Sequence, residues 1–168
     1  MCIVIDTNTL ASVFDSKSAD HAEFKDVFDW IVDGKGKIVY GGTTYIRELS
    51  KTKYLKLFTL YNKAGKAILV KDNVDEETSS VSKMIQHPDF DDQHIVALLK
   101  VSGCKLICSG DKRAYPFFQH ELFFSPASKR PKIYSGHRNK DLLTDSNIAD
   151  ICRPSKGTTN DQKRSLSL

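Results

Sequence analysis

The chain opens with Cys2-Ile3-Val4-Ile5, a continuous apolar run that turns polar at Asp6-Thr7-Asn8. An uninterrupted, β-branched run of this kind reads as a strand covered on both faces, the situation of a strand in the middle of a parallel sheet. Similar short runs recur at Lys37-Ile38-Val39-Tyr40, Ala67-Ile68-Leu69-Val70 and Leu106-Ile107-Cys108. Parallel neighbours need crossover connections, and the segments between the runs have helical spacing. From Asp20 to Val32 the residues Ala22, Phe24, Val27, Phe28, Trp30 and Ile31 recur helically, and Gly34 and Gly36 supply the stop. Further helices are expected from Thr43 through Glu48, from Tyr54 to Lys63, from Val74 to Gln86 and from Asp91 to Val101, with a short one from Asp111 to Phe118. Ile133-Tyr134 reads as a last edge strand. Strands alternating with helices predict an α/β fold, a three-layer α/β/α sandwich on a mainly parallel sheet.

The length of 168 residues suits one domain, expected over residues 1–143. From Thr144 onward polar residues dominate and only Ile148, Ile151 and a few Leu offer anchors, so 144–168 reads as a flexible tail, removable at little cost. No stretch approaches the roughly 20 apolar residues a membrane span needs, and no basic region precedes the opening strand; the sequence reads as cytoplasmic, without a membrane role. Cys2, Cys104, Cys108 and Cys152 contain no C-x-x-C pair, which argues against a zinc knuckle or a disulfide framework; reduced, mostly buried thiols are expected. A net charge of +4 suits a phosphate-rich partner without demanding one.

The acids carry the chemical signal. Asp6 directly follows the first strand and Asp111 closely follows Leu106-Ile107-Cys108, and open α/β sheets bind ligands at the carboxyl ends of strands. Glu48 lies on the helix entered from Gly41-Gly42, and Asp92 begins the apolar helix carrying Ile95, Val96 and Leu99. Carboxylates converging from separate elements raise one another's pKa, and a divalent cation offsets that repulsion. Oxygen ligands with no His or Cys cluster point to Mg²⁺ or Mn²⁺. One or two such ions can activate a water and stabilise the leaving oxygen of a phosphodiester displacement.

Ile3-Val4-Ile5-Asp6-Thr7-Asn8 resembles the opening motif of the PIN domain family. Tyr45-Ile46-Arg47-Glu48-Leu49 resembles that family's helix with an acidic ligand, Asp92-Gln93-His94-Ile95-Val96-Ala97 its third motif, and Ser109-Gly110-Asp111 followed by Phe117 its fourth. The resemblance runs from about Met1 to Phe118, and Ile133-Tyr134 fits the closing strand. It implies a metal-dependent endonuclease, usually acting on RNA, with Asp6, Glu48, Asp92 and Asp111 as catalytic metal ligands. It further implies Asn8 as a helper beside the ligands and Ser109 as a brace at the strand end, and Asp91 is a further candidate acid. DNA is not excluded as substrate. The family also suggests either a toxin neutralised by an antitoxin that places an Arg in the acidic site, or an RNA-processing enzyme, and a homodimer is compatible with both. The departures are the long segment between Glu48 and Asp92 and the added C-terminal stretch.

Each acid has an ordinary reading beside the functional one. Asp6 can bond turn amides, Glu48 can pair with Arg47 or Lys51, and Asp91, Asp92 and Asp111 can cap helices. His94, His87 and His120 read as packing or surface residues. Lys112, Arg113, Lys129 and Arg130 are candidates for a phosphate-tracking groove, with solvated surface as the alternative. Asp6-Thr7-Asn8-Thr9 partly resembles the haloacid-dehalogenase phosphatase opening, but Asn8 stands where that chemistry needs a second acid. A catalytically silent, PIN-like RNA- or protein-binding module is the non-enzymatic alternative.

Overall fold

The computed structural model describes residues 2–144 and 148–166. The apolar runs form β1 (Cys2–Ile5), β2 (Lys37–Gly41), β3 (Ala67–Val70) and β4 (Leu106–Cys108), joined by β5 (Lys132–Tyr134). They make one parallel sheet in the order β3-β2-β1-β4-β5. Its register sets Ile3 beside Ile38, Val4 beside Ile107 and Ile107 beside Ile133, so the central rows are aliphatic and buried, with Ile133 partly exposed at the edge. Burial on both faces explains why β1 shows no polar alternation.

The helices are α1 (Leu10–Phe14), α2 (His21–Val32), α3 (Thr43–Ser50), α4 (Leu55–Lys63), α5 (Val74–Met84), α6 (Gln93–Ser102), α7 (Tyr115–Phe118) and α8 (Asn160–Leu166). The chain moves outward from β1 to β3 and then crosses to β4, so right-handed connections set α2 and α4 on one face and α5 and α6 on the other. Phe14, from a helix the sequence did not signal, fixes the first face: its ring lies 6.2 Å from Phe28, 6.0 Å from Tyr54 and Phe58 and 5.9 Å from Tyr61. Beside the second face, Phe90 stacks on Phe117 at 4.4 Å. The α/β/α sandwich on a parallel sheet is as expected, with β5 at an edge. Asp111 to Phe118 is helical only from Tyr115, because Asp111 is spent in a turn that bonds the Arg113 amide.

Two features depart from the sequence reading. Cys2 and Cys152 are disulfide-bonded, with Cα atoms 6.3 Å apart, whereas reduced thiols were expected; a separation of 150 residues carries no local signature of pairing. Cys104 and Cys108 are free and buried in the core, as their spacing suggests. The C-terminal stretch, expected to be a flexible tail with few anchors, runs back over the domain in residues 148–166; Asp145, Ser146, Asn147, Ser167 and Leu168 lie outside the described residues. Cys152 and Leu166 are buried, Thr158 bonds the Gly34 carbonyl, and the Gln162 side-chain amide donates to the Ala64 carbonyl at 2.7 Å. Among the described residues no helix is long and apolar enough to cross a membrane.

Candidate acidic site at the carboxyl end of the sheet

Strand order reverses at β1, with β2 and β3 on one side and β4 and β5 on the other. The crevice above the carboxyl ends of β1 and β4 is therefore the ligand position of this architecture. Asp6 sits there because β1 ends there, and its amide donates to the Cys108 carbonyl at 2.9 Å, which ties it to the end of β4. Its carboxylate is 1% exposed and accepts from the Asn8 amide at 3.1 Å and from the Ser109 hydroxyl at 2.8 Å. Burial raises its pKa, and these two hydrogen bonds only partly oppose the rise. Ser109 also accepts from the Asp111 amide at 3.1 Å, so one hydroxyl joins the ends of β1 and β4.

Glu48 is delivered by α3. The turn into that helix needs glycine: Gly42 has φ +80°, and a Cβ on Gly41 would lie 2.1 Å from the Val70 carbonyl oxygen. The first free amide of α3, that of Thr43, is bonded by Asp75 at 2.8 Å rather than by a residue of the turn. Tyr45, one turn before Glu48, is fully buried and donates its hydroxyl to the Ile5 carbonyl at 2.5 Å, locking α3 to the end of β1. Glu48 consequently turns inward: Oε2 accepts from the Thr7 hydroxyl at 2.8 Å and lies 3.3 Å from His94 Nε2. Among the described residues it has no ion pair with Arg47 or Lys51.

Asp92 stands at the N-cap position of α6 but makes no capping bond. Among the described residues its carboxylate has no hydrogen-bond donor and no ion-pair partner. It is 9% exposed, and its pKa rises to about 7, first through burial and then through the negative charges of Asp6, Asp91, Glu48 and Asp111. Asp111 differs, since Arg113 grips it with Nε at 3.1 Å and a terminal nitrogen at 2.8 Å, and this ion pair holds its pKa low.

Thr7, Asn8, Glu48, Lys51, Thr52, Asp91 and Asp92 line an open cleft of about 370 Å³. Asp6 and Asp111 are not among its lining residues, but both lie close enough to Asp92 for their charges to raise its pKa. Asn8 contributes its amide to Asp6 while its side chain is exposed at the cleft. The structure thus brings Asp6, Glu48, Asp91 and Asp92 to one crevice, with Ser109 bracing Asp6. No three His, Cys, Asp or Glu side chains among the described residues converge as a ready-made metal cluster.

Three residues here escaped sequence reasoning. His94 is 4% exposed beside Glu48, and burial pushes its pKa down while Glu48 opposes the shift. Its only signal was its place in a helix whose neighbours Ile95 to Leu99 are all buried. Thr7 had none beyond adjacency to Asp6. Lys51 projects into the acidic cleft instead of pairing along the helix. The basic candidates divide. Lys112 and Arg113 follow β4, at the carboxylate end of the sheet. Lys129 and Arg130 precede β5, at the amino end, so these four do not line one groove. Arg130 there lies 3.8 Å from Glu121.

Comparison of the chain with protein-family models, curated proteins and solved structures yields no match.

Proposed function

We propose that the chain is a divalent-metal-dependent endonuclease of PIN type that hydrolyses phosphodiester bonds, with RNA as the leading substrate. The observation that carries this reading is Asp92: a buried carboxylate, without a donor, facing other acids at the strand-order reversal of a parallel sheet. A fold that only needed to stand would not gather this much uncompensated negative charge, because like charges in a poorly hydrated crevice repel. Hard oxygen donors without thiols suit Mg²⁺ or Mn²⁺. Asp6 and Asp92 would hold the ion, joined by Glu48 once it leaves Thr7 and His94 and by Asp111 once it leaves Arg113. When bound, one or two such ions supply an activated water and charge neutralisation at the leaving oxygen.

The chain's own residues do the positioning. Ser109 and the Asn8 amide fix the Asp6 carboxylate, while the Thr7 hydroxyl holds Glu48 at the crevice wall beside His94. Lys51, on the wall of the cleft, offers an ammonium to a backbone phosphate. Lys112 does the same from the β4 side. An RNA strand lying across this end of the sheet satisfies these groups, and an antitoxin or a second copy of the chain would compete for the same face.

The Arg113 clamp on Asp111 favours a second reading, a catalytically silent binding module. The test is cleavage of labelled single-stranded RNA, structured RNA and single-stranded DNA in Mg²⁺, Mn²⁺ or EDTA, beside Asp6→Asn. Cutting that needs metal and disappears in the variant supports the nuclease. A folded protein that binds Mn²⁺ by calorimetry yet cuts none of the three supports the silent module.

A further inference from the structure

A second cavity of about 440 Å³ opens at the other end of the sheet, between the carboxyl end of α6, the amino end of β4 and the loop before β5. Its apolar wall includes Leu99, Phe123 and Phe124, all buried in the core. Lys100, Lys105 and Lys129 reach its rim from three separate elements. Lys100 is accounted for, since its ammonium pairs with Glu77 and it closes the last turn of α6. Lys105 and Lys129 are not: among the described residues neither has a carboxylate within ion-pairing distance. Two unpaired cations over an aromatic and aliphatic floor make a recess that water serves poorly, because it hydrates the ammonium groups but gains nothing from the wall.

From this arrangement we infer that the cavity binds a small organic anion whose apolar body rests on Leu99, Phe123 and Phe124 and whose carboxylate, phosphate or sulfonate meets Lys105 and Lys129. The size fits, as small-ligand sites enclose roughly 300–1,000 Å³ and combine an apolar lining with a few placed polar groups. Each ammonium–oxyanion contact is charge-assisted and stronger than its neutral counterpart. The site is separate from the acidic crevice and does not depend on the nuclease reading. It also gives Lys129 an anion-binding role away from any nucleic-acid groove.

The test is a fluorescence titration of the full chain with 8-anilinonaphthalene-1-sulfonate, an aromatic sulfonate that brightens on leaving water. Lys105→Glu, Lys129→Glu and, as a remote control, the exposed Lys17→Glu are titrated in parallel, with near-ultraviolet circular dichroism to establish that each is folded. One saturable site per chain, weakened about tenfold or more by either cavity substitution and unchanged by Lys17→Glu, is the expected result. Absence of a saturable site, or equal affinity in all the folded variants, overturns the proposal.

Discussion

The two ends of the sheet handle charge in opposite ways. Every strand after β1 begins at or just after a lysine: Lys37 opens β2, Lys66 precedes β3, Lys105 precedes β4 and Lys132 opens β5. The carboxyl ends gather Asp6, Asp92 and their acidic neighbours. At the amino end the most buried charge, unlike the rim cations Lys105 and Lys129, is answered locally. Lys66 is 1% exposed and donates to the Gly34 carbonyl at 3.0 Å, and its pKa falls to about 8 through burial first and the neighbouring Lys37 second. The backbone amide and hydroxyl of Thr158 meet that same carbonyl, so the C-terminal stretch covers this spot. At the carboxyl end Asp92 is left unanswered. The difference teaches that burial alone does not mark a functional charge; burial without a partner, among like charges, does.

The contrast can be broken most sharply at the acidic end. Asp6→Asn or Asp92→Asn is expected to lower metal-dependent cleavage by about a hundredfold or more while the protein stays folded by circular dichroism; full activity in either would remove the site. At the amino end, Cys152→Ser should cost about 2–4 kcal/mol in urea unfolding under oxidising conditions, with wild type and variant converging in reductant. Ending the chain at Leu143 removes this bridge together with buried Leu166 and should destabilise at least as much, whereas an unchanged midpoint would return the stretch to the status of a free tail.

Proton linkage then separates the two ends. The folded state keeps a proton on Asp92 up to about pH 7, while an unfolded Asp loses it near 3.8, so this group's contribution makes stability fall as pH rises between those values. Asp92→Asn should therefore stabilise by a few kcal/mol at pH 8 and by little below pH 4, read from paired unfolding curves. Lys66 has the reverse direction of proton release: folding favours its neutral form, so its penalty is complete below about pH 8 and gone above its ordinary value of 10.5. Lys66→Met should gain about 1–3 kcal/mol at pH 7 and lose that gain toward pH 10.5. The smallest effect belongs to Arg113→Ala. Its ion pair with Asp111 lies in solvent, with the Arg side chain 68% exposed, so the unfolding midpoint should not move. Mn²⁺ affinity by calorimetry should rise if Asp111 is a ligand waiting to be released.

What was legible in the sequence was whatever one element encodes by itself. Cys2 to Ile5 had to be a central strand because nothing else covers four apolar residues in succession, and the β-α alternation left little choice but a parallel sheet. Asp6 and Asp111 were then placed by topology, each a fixed step past a strand end. The Asp91-to-Val101 helix was readable for the same reason; it begins two residues later, at Gln93, and ends one later, at Ser102.

Tertiary structure alone decided which side chains answer which charges. Glu48 meets Thr7 and His94 rather than its helical neighbours, because the Tyr45 bond to Ile5 turns α3 toward β1 across 40 residues of chain. Arg113 holds Asp111, Lys129 belongs to a different end of the sheet from Lys112, and Cys2 finds Cys152 at the far end of the sequence. Hydrophobic period and turn chemistry are local and survive in a string of letters. Partnership between distant groups depends on how the elements pack, and no spacing in the string records it.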